Sequence, residues 1–305
     1  MTTKNVLVLY TPRRSTQYLE RISAAQVAFI RDALLAEGLK TAVHSYHPAK
    51  LAGILDKTKP DLIFNLAYGY FDRQSGQQES QADVVEKLET AGIPVVGSSS
   101  KVQRLVQDKL ACGEMLRKHR IHAPLDVNRD CAARFPLAIR KPRFGACHRE
   151  VMLLDPRQFD WSQFDPESQV LQEYIDGEEF TVAVIEDSCG VRVLPPLHIR
   201  FAEVRGPRVL GPKSKYTICP ANLHQSQLTD VARRVFKCLG MQDYTRMDFR
   251  MRNGAVYVLD VNALPNLDPE RSYLPFAARS AGISYPRLIQ LLVSKKLSYS
   301  SSGGK

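Results

Sequence analysis

At 305 residues the chain is long enough for two or three domains and a large buried core, and 44% hydrophobic with 24% charged residues is ordinary globular composition. Its net charge of +10 points to anionic partners, but the basic residues are spread along the chain, which argues against a nucleic-acid footprint. No run approaches the roughly 18 apolar residues of a membrane span, and the scattered cysteines, with no C-x-x-C pair, read as free thiols in a reducing cytoplasm.

Residues 6–10 read as a buried strand, and the N-terminus has neither the length nor the cleavage pattern of a signal peptide. A helix is expected over 24–37, closed by Gly38, with strands over 41–46 and 62–66. A helix over 82–90, ended by Ala91-Gly92, precedes a short strand at Val95-Val96. This alternation predicts a parallel sheet. The stretch Tyr10-Thr-Pro-Arg-Arg-Ser15 lacks the glycine fingerprint of a dinucleotide fold, and there is no Walker A sequence. Ser98-Ser99-Ser100 is a linker and cap signal before a helix at 102–119, and marks a domain boundary. Then come a strand over 137–141, a loop over 142–149, and strands over 151–154 and 170–175. From Glu179 the chain reads mostly β, with strands over 180–185 and 192–197 and helices over 225–239 and 285–294. The Ser/Gly-rich end, 298–305, reads as a disordered tail.

Residues 244–265 carry the strongest chemical signal. Two strand-like runs flank Asn253-Gly254, a hairpin turn signal. Alternation puts Arg246, Asp248 and Arg250 on one face of the first run, and Asp260 and Asn262 on one face of the second. The second run is apolar on both faces around Asp260, and a strand buried on both faces does not carry carboxylates without partners. Two carboxylates and an amide oxygen are hard ligands of the kind magnesium uses when phosphates complete its shell, and the guanidinium suits an anionic oxygen. A tight two-residue turn with clean pairing would put Asp248 and Asp260 on opposite faces. Convergence therefore requires an odd loop or a bulge.

Several motifs in order carry a resemblance. Gln172-Glu-Tyr-Ile-Asp-Gly-Glu-Glu-Phe, Cys219-Pro-Ala221, Arg246-Met-Asp248, Leu259-Asp-Val-Asn-Ala-Leu-Pro265 and Ala281-Gly-Ile-Ser-Tyr-Pro286 resemble D-alanine–D-alanine ligases of the ATP-grasp superfamily. Upstream, Phe64-Asn-Leu-Ala67, Gly92-Ile-Pro-Val-Val-Gly97 and Asp108-Lys109 fit the same order. The resemblance implies an α/β (α+β) ATP-grasp fold: an N-terminal βαβ parallel-sheet domain over 1–99, a central subdomain over 100–176 and a C-terminal catalytic subdomain over 177–297. The nucleotide is then held between the last two. By the same resemblance Lys109, Lys141 and Lys215 (Lys213 being the rival) hold ATP phosphates. The backbone of Glu173 and Ile175, with Tyr174 between them, meets the adenine, and Glu179 accepts from the ribose. Asp248, Asp260 and Asn262 bind two Mg²⁺ ions, with Mn²⁺ as an alternative, and Arg246 stabilises the transferring phosphoryl group. Ser272 takes the position of a substrate-carboxylate serine, and Glu79 that of a carboxylate near the first substrate.

The departures fall on the substrate side. The family's first glycine loop is Tyr10-Thr-Pro-Arg-Arg14 here, its phosphate loop is the shorter Arg143-Phe-Gly-Ala-Cys-His148, and Asn266 replaces a glycine. Cys147 and His148 have no visible orienting partner, so they are read as structural. A rebuilt acceptor pocket predicts a changed substrate. The resemblance then implies an ATP-dependent ligase joining an amine to an amino-acid-type carboxylate in specialised metabolism, including by intramolecular closure, in a cytoplasmic homodimer. The alternatives are authentic D-alanine–D-alanine synthesis and a non-catalytic nucleotide-binding relative.

Overall fold

In a computed structural model the chain is described over residues 3–12, 22–145, 150–202, 206–211 and 214–299. Strands β1 (Asn5–Tyr10), β2 (Lys40–Ser45), β3 (Leu62–Leu66) and β6 (Val95–Val96) form a parallel sheet in the order β2-β1-β3-β6. Helix α1 (Ala24–Ala36) is started by the Ser23 hydroxyl, which accepts from the Gln26 N–H. It covers one face of the sheet, where Val6, Val8, Phe64 and Leu66 are buried. Helices α2 (Leu51–Thr58) and α3 (Gln81–Thr90) cover the other, against Leu7, Leu9 and Ile63. Helix α3 begins with a capping box between Ser80 and Asp83. A small hairpin, β4 (Tyr70–Phe71) with β5 (Gln78–Glu79), precedes it.

The helix expected over 102–119 is two helices, α4 (Ser100–Gln107) and α5 (Lys109–Lys118). Asp108 breaks it: at ψ 102 it leaves the helical region, and its side chain accepts from the Leu110 and Ala111 N–H groups. The same carboxylate takes Arg143 by two hydrogen bonds of 3.1 and 2.8 Å, so a distant partner reinforces the break. Next come β7 (Ala138–Pro142), β8 (Met152–Leu154) and β9 (Gln169–Glu173), in the antiparallel order β8-β7-β9.

The larger antiparallel sheet runs β13 (Tyr216–Pro220), β12 (Leu197–Phe201), β10 (Glu178–Asp187), β14 (Tyr244–Arg252), β15 (Ala255–Asn262), with β11 (Gly190–Val193) also on β10. The strand expected over 192–197 is a correction: β11 ends at Val193, and Leu197 opens the separate strand β12. One face of the sheet buries Phe180, Val182, Val184, Met247 and Phe249 under α6 (Gln225–Cys238) and α5. The other face is divided. Ala183, Ile185 and Tyr244 join the core shared with the parallel sheet, α7 (Tyr273–Ser280) and α8 (Tyr285–Tyr299). Glu179, Asp248 and Arg250, of the same parity, lie beyond that core. Each large core side chain contributes about 1.5–3 kcal/mol, so this face is fixed firmly at its apolar end and left polar at the other. Helix α8 continues to Tyr299, so the expected tail begins later than 298. Residues 300–305 lie outside the described residues.

Candidate active site

The hairpin β14–β15 resolves the requirement on register. Its turn is tight: Asn253 and Gly254 both have positive φ (52° and 78°), and Arg252 pairs with Ala255. A bulge then intervenes, because Phe249 pairs with Val258 while Asp248 pairs with Asp260, leaving Leu259 unopposed. Beyond it Arg246 pairs with Asn262. Directly opposed residues share a face, so the extra residue brings the two carboxylates together, with the arginine and the amide one step along. The freed Leu259 carbonyl accepts from the Lys141 ammonium at 3.3 Å.

This face forms one wall of a cleft with about 780 Å³ of empty space, partly open to solvent. Lys109, Lys141, Glu173, Tyr174, Ile175, Glu179, Asp248 and Asp260 all line it. Lys109 is the first residue of α5 and donates to the Gly145 carbonyl at 2.5 Å. Burial, and then the neighbouring Lys109 ammonium, push Lys141 down to about 8. Two ammonium groups that disfavour each other at the end of a cleft make a site for a polyanion.

The other end is held by a residue whose role the sequence did not reveal. Arg250 grips Glu179 through two hydrogen bonds of 3.0 and 2.7 Å, both side chains 5% exposed. It also donates to the Ile175 carbonyl at 2.8 Å and to the Arg208 carbonyl, and stacks on Tyr174 at 5.2 Å. The Tyr174 hydroxyl accepts from the Arg208 N–H at 2.8 Å, which ties the segment carrying Val209 and Leu210 across the cleft. Glu173 is occupied structurally, accepting from the Leu125 N–H at 3.1 Å and pairing with Arg252 at 3.2 Å. Alternation placed Arg250 on the cleft face; only its partner across the sheet was missing.

Arg246 donates to Asp248 at 3.0 Å, and its guanidinium lies over the Tyr273 ring at 5.3 Å. Arg246 and Asn262, one pair further along the hairpin, do not line the cleft, and three other expected site residues lie away from it. Glu79 sits on β5, where it accepts from Tyr46 at 2.5 Å, Lys87 at 2.6 Å and Gln77 at 3.1 Å. Ser272 precedes α7, and its hydroxyl donates to the Asn266 side-chain oxygen at 2.9 Å. Lys215 is exposed just before β13. Its rival Lys213, and Cys147 and His148, lie outside the described residues.

The donor set fits a magnesium ion bound with phosphates. Asp248 Oδ1 is buried without a hydrogen-bond partner, an arrangement that is costly unless something charged or polar meets it. Among the described residues no group of three or more His, Cys, Asp and Glu could hold a metal unaided. Two carboxylates and one amide oxygen require further oxygens, which a nucleotide's phosphates supply. No helix among the described residues is long and apolar enough to cross a membrane.

The family model "D-ala D-ala ligase C-terminus" matches residues 161–294. The chain is 26% identical over 273 residues to a D-alanine–D-alanine ligase of Fervidobacterium nodosum, covering 78% of this chain and 82% of that one. It is 29% identical over 297 residues to an uncharacterized protein, y4sG, of Sinorhizobium fredii, covering 88% and 85%. The crystal structure of a Bacillus anthracis D-alanine–D-alanine ligase complexed with ATP superposes with a TM-score of 0.74 at 21% identity, covering 100% of both chains. With the two lysines and the bulged carboxylate pair lining one cleft, the chain is D-alanine–D-alanine-ligase-like, an ATP-grasp ligase that forms a C–N bond.

Proposed function

We propose that this ligase activates an amino-acid-type carboxylate as an acyl phosphate and joins an amine to it, releasing ADP and phosphate, on a substrate of specialised metabolism. The observation that carries the reading is the pair Lys109 and Lys141 facing Asp248 and Asp260 in one cleft. A carboxylate is a poor acyl donor, so the γ-phosphoryl group must pass to it first. That transfer depends mainly on positioning and charge neutralisation. Lys109, Lys141 and Lys215 would take the phosphates. The backbone of Glu173 and Ile175, with Tyr174 between them, would meet the base, and Glu179 the ribose, its carboxylate oriented by Arg250. Asp248, Asp260 and Asn262 would hold two Mg²⁺ or Mn²⁺ ions, which offset phosphate charge when bound. Arg246 would stabilise the oxyanion formed when the neutral amine attacks, with backbone N–H groups near Asn266 assisting.

Glu79 and Ser272 would act on the acceptor side through their hydrogen-bonded neighbours, outside the nucleotide cleft. We assign the units to residues 1–99, 100–176 and 177–297, in a cytoplasmic homodimer. The altered Tyr10-to-Arg14 and Arg143-to-His148 segments support a substrate other than D-alanine. A second reading, D-alanine–D-alanine synthesis itself, is favoured by the names of the relatives.

The test is phosphate release from Mg²⁺-ATP with L- and D-amino acids, singly and in pairs. Release with D-alanine alone selects the second reading, and release with another amino acid supports the first. Turnover that survives Asp260→Ala at a near-normal rate refutes the metal assignment. ATP binding without release across the panel refutes ligation of simple amino acids.

A further inference from the structure

Arg246 is held by more than Asp248. Its guanidinium lies over the ring of Tyr273, the first residue of α7, with 5.3 Å between the Arg246 Cζ and the ring centroid. The Tyr273 hydroxyl meets the Tyr216 hydroxyl at 2.8 Å. Tyr216 opens β13, on the edge of the sheet opposite β15. Tyr273 is half-buried and packs against the shared core, and its acidity is suppressed, first by burial and then by the bond to Tyr216. The ring is therefore neutral and fixed from beneath by α7. A guanidinium lying over a ring is attracted by its π face and keeps its N–H donors, one of which already reaches Asp248.

We propose that Tyr273 is a positioning residue for Arg246, and that its hydroxyl bond to Tyr216 makes this positioning conditional on where β13 lies. The inference rests on the reading of Arg246 as the group that stabilises charge in the transfer. Arginine has many rotamers, and a part-buried one aimed at a reacting centre needs a surface that selects among them. Asp248 meets one end of the guanidinium, and the Tyr273 ring adds a second contact to the group. The Arg208-to-Leu210 segment lies upstream of β13 and covers the nucleotide end of the cleft. The phenol pair thus links the strand that follows this cover to the arginine at the reacting end. A shift of β13 that parted the two hydroxyls would release Tyr273 from one side.

The test compares Tyr273→Leu, Tyr273→Phe, Tyr216→Phe and the double phenylalanine variant in the full-length protein. Phosphate release is measured with the acceptor that supports turnover of the native chain. Loss of the ring is expected to lower kcat about a hundredfold, as for an ångström-scale misplacement, with KM for ATP within about twofold. Tyr273→Phe keeps the ring and is expected to lose about fivefold, the worth of one neutral hydrogen bond. Tyr216→Phe should lose the same, and the double variant no more than either. A Tyr273→Leu enzyme with native kcat, or one whose loss is matched by Tyr273→Phe, overturns the proposal. So does a loss shared equally between kcat and ATP affinity.

The Arg246 Nε–H resonance separates this outcome from failure of the ligase reading, because it needs no substrate. The ring should shift it in the native chain and in Tyr273→Phe, and release it in Tyr273→Leu. An unmoved resonance in Tyr273→Leu refutes the positioning role even if no acceptor is turned over. If Tyr273→Leu does not fold, the two phenylalanine variants decide, and additive losses in the double variant overturn the coupling to β13.

Discussion

Replacing Arg250 with methionine should be among the most costly single changes in the cleft. The pair it forms with Glu179 is 5% exposed on both sides, with Nε and Nη2 both donating to Oε2, and a third donor serves the Ile175 carbonyl at 2.8 Å. Methionine fills much of the same volume but leaves a carboxylate in the sheet without its cation and a carbonyl without its donor. Breaking a buried pair from one side costs about 3–5 kcal/mol, because the surviving charge stays desolvated. In a chain of this size that is a fall in Tm of roughly 10 °C. Urea unfolding at neutral pH measures the loss directly, and titration with ATP should show weaker binding, since the Tyr174 and Arg208 contacts go with the guanidinium. The double variant Arg250→Met, Glu179→Leu removes both charges and should recover more than half of the lost stability while leaving ATP binding weak. An Arg250→Met protein within about 1 kcal/mol of the native chain would show that the pair is well solvated and would refute this reasoning.

Three further outcomes are expected. Gly177 has φ +140, and a Cβ there would stand 1.8 Å from the Met251 carbonyl oxygen; Gly177→Ala should therefore lose about 3 kcal/mol or more, and a native Tm in that variant would refute the close approach. Asp243 is fully buried, and burial raises its carboxyl from 3.8 to about 6 despite the Gly97 N–H and Lys296. Its contribution is complete below pH 4 and declines as pH rises through 6, so Asp243→Asn should gain on the native chain across that window, by up to about 3 kcal/mol above pH 7, measured by urea unfolding at several pH values. Lys141, held at about 8, should recover its full charge beside bound phosphates. ATP binding at pH 8 should then take up about half a proton, and almost none at pH 6.5. Calorimetric enthalpies that do not differ between buffers of unlike ionisation enthalpy at pH 8 would contradict this.

The parallel sheet, its helices and the hairpin with its polar face were legible because each rests on local signals: apolar runs, serine caps and alternation along a strand. Even the bulge left a trace, since Val256 and Val258 share a parity that Val261 breaks while all three are buried in one core. Helix α7 carried a weaker trace, because Pro275 sits in its first turn, where a missing N–H costs nothing. The break between α4 and α5 was hidden: Asp108 is an ordinary helix residue until Arg143 reaches it from 35 positions away.

By itself, then, the sequence determined which faces of which strands the charged and amide side chains of the hairpin occupy. Side-chain alternation is set by the backbone period alone. Tertiary structure decided what each of those residues meets. It gave Glu179 to Arg250 and Glu79 to Tyr46 and Lys87, set Tyr273 beneath Arg246, and brought Lys109 and Lys141 to one cleft with the carboxylates. Such pairings, Glu79 with Lys87 apart, join segments tens of residues apart. They form only when packing of the shared core brings the two sheets and α7 together, and no local propensity encodes that distance.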